Sequence, residues 1–510
     1  MPLISLTILI LLAGALLSAL LPQAKMARLV ALLATSAAFL VSIAFYVGFD
    51  PNTSVFEPQF LERVALLAGA DVSYTLGIDG INLLLVMLTT LLGPIVVLAS
   101  WTYITKHFRA YYALIQLLMA GVVGVFTSFD LLVFYVFFEL TLIPMYFIIG
   151  VWGSENRVYA ALKFVIYTLV GSLLMLVGII YLGIEAGNAI NGGVFTTDYF
   201  KLLSYQIPAE TQGWLFLLFA LSFAIKVPLF PLHTWLPDAH TEAPTGGSVV
   251  LAGVLLKMGT YGLLRFTLPF FPEATMAYAM PIAILAVIGI VYGALVSRVQ
   301  TDAKKLVAYS SVSHLGFVVL GLMAFNEIAV QGALIQMINH GISTGALFLI
   351  VGMLYERRHT RLMADYGGIA KRVPVLTTFM IISVLASAGL PGLNGFIGEF
   401  MILIGSFSSD VVGSPWLIAV ATTGVILAAV YLLHMVYKVF FGPITHQEND
   451  ELADLNVRET IVLIPLIVLM VIMGFAPRTF LEKSENHNAQ LLEIVHSKVD
   501  AAVADTAVER

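Results

Sequence analysis

The sequence contains no cysteine among its 510 residues, and charged residues make up only 11% of it. Without cysteine the chain can form no disulfide, no thiolate metal site and no cysteine-ligated iron–sulfur cluster. A soluble globular chain is typically about a quarter charged. The shortage of charge therefore argues against the soluble classes of protein.

Motifs of nucleotide and metal chemistry are missing as well. No glycine-rich phosphate loop stands between a strand and a helix pattern, and no HExxH pair occurs. The basic residues are too scattered for a nucleic-acid surface. The chain has groups that can carry ions but no visible site for a redox cofactor or a nucleotide. We therefore expect its energy to come from another subunit or from a gradient.

Hydrophobic residues are abundant instead, at 60% of the chain. Apolar runs of about 20 residues, the length that crosses a bilayer, recur from end to end. The first run, residues 3–21, has no basic region before it and no cleavage pattern after it, so we interpret it as a span and not a signal peptide. The pattern predicts an all-α integral membrane protein with about fourteen transmembrane helices.

The basic residues are distributed unevenly among the connections between spans. The odd-numbered connections carry Lys25, Arg28, Lys106, Arg109, Arg157, Arg298, Lys304, Lys305, Arg357, Arg358, Arg361, Lys371, Arg372 and Arg458. The even-numbered connections carry Arg63 and Lys201, with Arg265 just inside the end of span eight. Because positive loops stay in the cytoplasm, matrix or stroma, we expect both termini on the outer side.

Two spans contain helix-breaking residues. Span seven holds Pro228 and Pro231, and span twelve holds the sequence GLPG at residues 389–392. Such breaks survive in a bilayer only where protein or water satisfies the freed backbone groups. Their placement predicts two inverted five-helix repeats with broken helices 7 and 12. The expected domains are residues 1–110 (helices 1–3), 111–270 (first repeat, helices 4–8), 271–445 (second repeat, helices 9–13) and 446–510 (helix 14 and a polar tail).

Ionisable residues in the middle of the spans are the strongest functional signal, because a charge at that depth costs several kcal/mol. The main group is Glu139, Lys226, Lys257, His314, His340 and Glu399. Possible additions to the relay or to a channel mouth are Lys163, His233, His240, His434 and Lys438. Acids, lysines and histidines on successive helices predict a proton relay, since each group can exist charged or neutral.

Within this set, Glu139 and Lys226 are expected to pair, so that a change in the pairing would help Lys226 release its proton. A structural interpretation stands beside each functional one. In the structural interpretation, Glu139 and Lys226 are a buried pair that only stabilises the fold. His314 and His340 then only cap or pack their helices. Three of the additional candidates can extend their side chains to the membrane–water interface, namely Lys163, His434 and Lys438. His233, Asp238 and His240 are either loop residues or a channel mouth, and Asp302, Lys304 and Lys305 mark a helix start.

Four segments resemble one known family, the antiporter-like subunits of respiratory complex I. They are residues 138–146 (FELTLIPMY), 226–245 (KVPLFPLHTWLPDAHTEAPT), 309–316 (YSSVSHLG) and 389–392 (GLPG). The likeness extends over essentially the whole chain. Within the family it is most similar to the M-type (chain 4) members, because Glu399 stands where sister subunits usually carry lysine.

The resemblance implies a proton-pumping module beside sister antiporter-like subunits, with the six main residues on its hydrophilic axis. It also implies flavin, iron–sulfur clusters and a quinone-like acceptor in partner subunits, with none of them on this chain. The electron donor stays open between NADH, a reduced deazaflavin and ferredoxin. Two other kinds of complex are alternatives to a complex I-type pump: a multisubunit cation/proton antiporter and a membrane-bound hydrogenase-type complex. A purely structural membrane scaffold is the alternative from a different class.

Overall fold

The computed structural model describes residues 2–508, with side chains up to residue 501. Its helices are α1 Leu3–Leu20, α2 Ala24–Gly48, α3 Leu83–Ala99, α4 Phe108–Thr127, α5 Leu131–Trp152, α6 Arg157–Ile190, α7 Tyr199–Ser204, α8 Ala209–Lys226, α9 Trp235–Glu242, α10 Thr245–Phe270, α11 Pro272–Val299, α12 Ala303–Leu322, α13 Glu327–Arg358, α14 Pro374–Ser387, α15 Asn394–Phe407, α16 Pro415–Phe440, α17 Val457–Phe475, α18 Arg478–Leu481 and α19 Glu485–Val508.

Between residues 2 and 508, eleven helices are long and apolar enough to cross a membrane. Three more, α3, α14 and α15, are apolar but shorter. The predicted multi-pass, all-α architecture is confirmed, whereas the count of fourteen spans stays a prediction. Both predicted breaks are confirmed, because α8 ends at Lys226 before α9 begins, and α14 ends at Ser387 before α15 begins.

The second break shows how glycine permits a tight turn inside a membrane protein. Gly389 and Gly392 have φ angles of 74° and 93°, in the left-handed region that is strained for residues with a Cβ. Pro391 between them cannot donate a backbone hydrogen bond. The chain therefore leaves the helix at this point and begins α15 at a different angle.

A β-hairpin occupies the long connection between α2 and α3. Strand β1, Gln59–Ala65, pairs antiparallel with β2, Ser73–Ile78. The Glu62 carboxylate accepts a hydrogen bond from the backbone N–H of Ile4 at 2.7 Å. The Arg63 guanidinium forms an ion pair with Asp198 at 2.7 Å. The hairpin thus joins the N-terminus to the connection between α6 and α8.

The polar C-terminal segment forms a helix, α19, that packs against the rest of the protein. Helix α19 buries Leu491, Leu492 and Val495 against the protein. The Gln490 side chain accepts a hydrogen bond from the Val55 N–H, next to the hairpin, at 2.8 Å. A short apolar stripe on an otherwise polar helix gives a weak sequence signal. Both ends of the chain therefore lie on the face that carries the hairpin.

Helices α10 and α13 form the centre of the fold. The most apolar 18-residue window of each is 100% buried, whereas that of α2 is only 28% buried. Helix α10 also contains two π-helical turns, Leu251–Leu255 and Leu263–Thr267, with one α-helical stretch between them. π-turns often mark functional sites, and Lys257 begins the stretch between these two.

Arg265 lies within α10, close to its C-terminal end, as the sequence predicted. Its side chain is 0% exposed and forms an ion pair with the equally buried Asp79 at 2.6 Å. The Arg265 Nε also donates to the Tyr261 hydroxyl at 3.1 Å. Asp79 follows β2 directly, so this pair links the hairpin to the helix that carries Lys257.

Candidate proton path

Lys257 and His340 form the first contact of a buried polar row. Lys257 is fully buried on α10, and its Nζ lies 2.7 Å from His340 Nδ1 on α13. The same Nζ donates to the carbonyl oxygen of Ala252, in the first π-turn. Since the wider turn leaves this carbonyl outside the regular helical ladder, the backbone itself helps to hold the lysine.

His314 and Glu399 form the second contact. His314 Nδ1, on α12, lies 2.8 Å from Glu399 Oε1, on α15. The other ring nitrogen, Nε2, lies 3.1 Å from the Tyr431 hydroxyl on α16. Gln336 Nε2 donates to Glu399 Oε1 at 3.1 Å. Side chains from α12 and α13 therefore contact one carboxylate on α15, beyond the break that precedes that helix, and α16 contributes a contact to the histidine.

The two contacts lie side by side. The ring centroids of His314 and His340 are 5.9 Å apart. His340 Nε2 and Glu399 Oε2 are buried without a protein hydrogen-bond partner among the described residues. Buried polar atoms of this kind are normally satisfied by ordered water. The four side chains thus form a row of two direct contacts separated by one small gap.

Glu139 and Lys226 do not form the ion pair that the sequence predicted. Among the described residues no ion pair of 4.0 Å or less joins them. Lys226 Nζ lies instead over the rings of Phe138 and Phe164, at 5.0 and 5.4 Å from their centroids. Lys226 is only 1% exposed, at the end of α8, whereas Glu139 occupies a half-buried position on α5. The aromatic faces hold the lysine apart from the carboxylate.

The additional candidates fall into separate groups. Lys163 forms an ion pair with Asp238 at 2.7 Å, on the basic-loop half of the protein. His233 is buried, with its ring 5.1 Å from that of Tyr292. His240 is buried, and neither ring nitrogen has a protein partner within the described part of the chain. His434 and Lys438 are half-buried on α16, and neither is part of the row described above.

Sequence reasoning missed two side chains that complete the row, Tyr431 and Gln336. Gln336 precedes His340 by four residues on α13, so both project from one face of the helix. Tyr431 precedes His434 by three residues in the same way. Neutral polar residues at helical spacing from an intramembrane histidine are the signal that would have identified both. Asn339, beside His340 on α13, donates to the carbonyl of Asn394 at 2.8 Å, where α15 begins.

Removal of the Tyr431 hydroxyl tests its part in the row. Tyr431→Phe deletes the hydrogen bond to His314 and leaves the ring packed. A net hydrogen bond contributes about 1 kcal/mol, so we expect proton translocation by reconstituted vesicles to slow about fivefold. Tyr437→Phe is the matched control, because Tyr437 lies on the same helix and is 68% exposed. Equal rates in the two variants would contradict a role for Tyr431.

No group of three or more histidine, aspartate or glutamate side chains is arranged to hold a metal ion within the described residues. The ionisable groups contact one another in pairs and not around a common centre. This arrangement is suited to the movement of protons along a row.

The chain is similar to proteins of known family. Residues 128–428 match the family model described as NADH:quinone oxidoreductase/Mrp antiporter, TM. NADH-quinone oxidoreductase subunit M of Rhodobacter capsulatus is 42% identical over 494 residues, which cover 94% of this chain and 93% of that protein. This agrees with the M-type resemblance that Glu399 predicted.

Solved structures agree with this assignment. A chain of respiratory complex I from Thermus thermophilus superposes with a TM-score of 0.83 at 33% identity, covering 96% of this chain and 100% of that chain. A chain of the Mrp complex from Dietzia sp. DQ12-45-1b superposes with a TM-score of 0.82, covering 97% and 98%. At 20% identity, the second likeness establishes the fold alone. This multi-pass membrane protein belongs to the NADH:quinone oxidoreductase/Mrp antiporter family.

Proposed function

We propose that this chain is a proton-translocating subunit in the membrane arm of a complex I-type, redox-driven pump. Electron transfer to a quinone-like acceptor takes place in other subunits, which hold the flavin and the iron–sulfur clusters. The donor is NADH, a reduced deazaflavin or ferredoxin. The supporting observation is the buried row of two hydrogen-bonded pairs, Lys257 with His340 and His314 with Glu399.

Each group in the row has a distinct role in the proposal. Glu139 responds to events in the neighbouring subunit and changes the electrostatic environment of Lys226. Lys226 passes its proton to Lys257, and the two histidines carry it onward. Glu399 releases it to the outer side. A chain of groups that exchange protons by contact avoids moving an isolated charge through apolar surroundings, which would cost several kcal/mol.

The direction of transport follows from the connections. The basic connections, which include Arg357 and Lys371, lie on the uptake side. The termini and the hairpin lie on the outer side, most simply in the plasma membrane of a prokaryote. Residues 111–270 and 271–445 act as two inverted repeats, with Lys226 and Glu399 on the broken fourth helix of each. Sister antiporter-like subunits flank the chain within the arm.

Other kinds of complex contain subunits with this fold, and the cofactor content of the purified complex distinguishes among them. The 42% identity to a subunit M, against 20% to the Mrp chain, supports a redox-driven complex over a cation/proton antiporter. Flavin and iron–sulfur absorbance in the complex that co-purifies with this chain would support the pump or a hydrogenase-type complex. Hydrogen production by the preparation would identify the latter. A complex without redox cofactors would favour the antiporter.

Glu399→Gln is the variant that separates a pump from a scaffold. The amide keeps the size of the side chain and can still hydrogen-bond, but it cannot release a proton. In proteoliposomes that contain the whole complex, we expect the rate of proton translocation to fall by at least the share that this subunit carries. Glu448→Gln is the control, since the Glu448 side chain is 67% exposed. Unchanged translocation in an assembled Glu399→Gln complex would favour a scaffold.

A further inference from the structure

We propose that Lys304 and the cavity beside it form the site at which protons are taken up from the basic-loop side. His240 then connects this site to the Lys257–His340 pair. The proposal deepens the proposed function and rests on it, because it names where the path begins. It assigns a role to a lysine that the sequence interpreted only as part of a helix start.

Lys304 is an unusual lysine for a helix start because it is only 6% exposed. Its Nζ donates to two backbone carbonyls at the end of α9, those of Thr241, at 3.4 Å, and Ala243. The C-terminal end of a helix carries a partial negative charge, which stabilises a cation there. A neutral amine also donates hydrogen bonds to carbonyls, so this setting holds Lys304 both with and without its extra proton.

The charged groups around Lys304 have other partners. Asp302 caps α12 through the Lys304 N–H at 2.7 Å, and its carboxylate forms an ion pair with Arg361 at 3.2 Å. The Glu242 carboxylate accepts from the Asn156 N–H at 3.0 Å. No carboxylate within the described structure lies within 4.0 Å of the Lys304 amine. The amine is therefore not fixed in its charged form by a salt bridge.

A small cavity of about 20 Å³ lies next to this amine. Its polar lining includes Tyr103, Ser154, Thr245, Lys304, Tyr355 and Arg361. Tyr103, Ser154 and Arg361 come from three odd-numbered connections, so the cavity lies on the basic-loop side. A polar space of this size suits water, which would deliver protons to Lys304.

The route inward follows α13. Gly352 and Tyr355 line the cavity, and one turn deeper Phe348 stacks on His240, with ring centroids 4.6 Å apart. At a rise of about 1.5 Å per residue, His340 lies roughly 12 Å beyond Phe348 along the helix. His240 is 0% exposed, and both of its ring nitrogens lack a protein partner within residues 2–501. It is a buried titratable group between the cavity and the Lys257–His340 pair.

The competing interpretation is that Lys304 only caps α9. Arginine separates the two possibilities. A guanidinium supplies the charge and the hydrogen bonds of a cap, but it does not release a proton in a protein. Lys304→Arg should therefore preserve a structural cap and block a proton-uptake site.

The test uses the whole complex in proteoliposomes, with the rate of proton translocation as the readout. We expect translocation to fall about tenfold in Lys304→Ala and Lys304→Arg, since a positioned proton carrier contributes at least that much. Both variants should still co-purify with the other subunits. Methylamine, which fits the space left in Lys304→Ala and carries a proton, should restore translocation severalfold in that variant alone. Lys305→Ala is the control, because Lys305 is the half-buried neighbour on the same helix.

Two outcomes would overturn the proposal, and they are distinguishable. If Lys304→Arg pumps at the normal rate while Glu399→Gln does not, Lys304 is a cap and the proposed function stands. If both variants pump normally, the proposed function fails together with the uptake site.

Chemical labelling gives an independent test, because the chain has no cysteine of its own. A Ser154→Cys variant places a single thiol of this chain at the cavity. In inside-out vesicles, a membrane-impermeant maleimide should label this thiol, and Ser172→Cys, deeper on α6, should stay unlabelled. Labelling of Ser154→Cys only in right-side-out vesicles would contradict uptake from the basic-loop side.

Discussion

Lys257→Met is expected to abolish coupled proton translocation while the complex still assembles. Methionine has nearly the length of lysine and packs well in an apolar interior. It cannot hold a proton, so the contact with His340 Nδ1 at 2.7 Å loses its function. Loss of a positioned acid–base group slows proton transfer by roughly 10²–10⁴-fold. Because electron transfer is coupled to pumping, quinone reduction should slow with it.

The measurement is proton uptake by reconstituted vesicles, together with electron transfer to a quinone and to a soluble artificial acceptor. Activity with the artificial acceptor should be unchanged, since it does not involve the membrane arm. Lys106→Met serves as the control, because Lys106 is exposed in a connection. Normal pumping in an assembled Lys257→Met complex would remove Lys257 from the path.

The second large effect is expected for the buried ion pair of Asp79 and Arg265. Arg265→Met leaves the Asp79 carboxylate buried without its cation, and Asp79→Asn leaves the guanidinium without its anion. Both side chains are 0% exposed. Breaking a buried pair by removing one partner costs about 3–5 kcal/mol. We expect a lower free energy of unfolding, seen as a lower thermal midpoint of the complex and less of this chain in the membrane.

An exposed pair provides the comparison. Arg372 and Asp450 lie 2.6 Å apart, but each side chain is 48% exposed. Because solvent screens such a pair, Arg372→Met should cost about 0–1 kcal/mol. The double variant Asp79→Asn with Arg265→Met should recover part of the loss, since no isolated charge remains. A thermal midpoint for Arg265→Met equal to that of Arg372→Met would show that the buried pair contributes little.

The sequence predicted the features that follow from two free-energy costs in a membrane. One is the cost of burying a charged side chain, and the other is the cost of leaving backbone hydrogen-bonding groups unpaired at a helix break. Lys257, His340 and Glu399 were identifiable because ionisable residues at mid-span are rare. The breaks at Pro228 and Pro391 were identifiable because proline and glycine interrupt helices. These signals are local, so they can be read without knowing which helices are neighbours.

The pairings were not predictable in the same way. Asp79 was not predicted as the partner of Arg265, because the two residues are 186 positions apart in the sequence. Glu139 and Lys226 were expected to pair by charge alone, but two aromatic rings occupy the space beside the lysine. Lys304 was interpreted only as part of a helix start, because nothing local shows that the end of α9 covers it. Each depends on packing between distant segments.

The order of residues along the chain also has a consequence for biosynthesis at the buried ion pair. Arginine remains charged in proteins, whereas lysine can lose its proton. Asp79 is translated 186 residues before Arg265, so the anion is already in place when the ribosome produces the cation. His340 is translated 83 residues after Lys257, which must therefore reach the bilayer without its imidazole neighbour. Arg265, which cannot lose its charge, is therefore the cation whose counter-ion is synthesised before it.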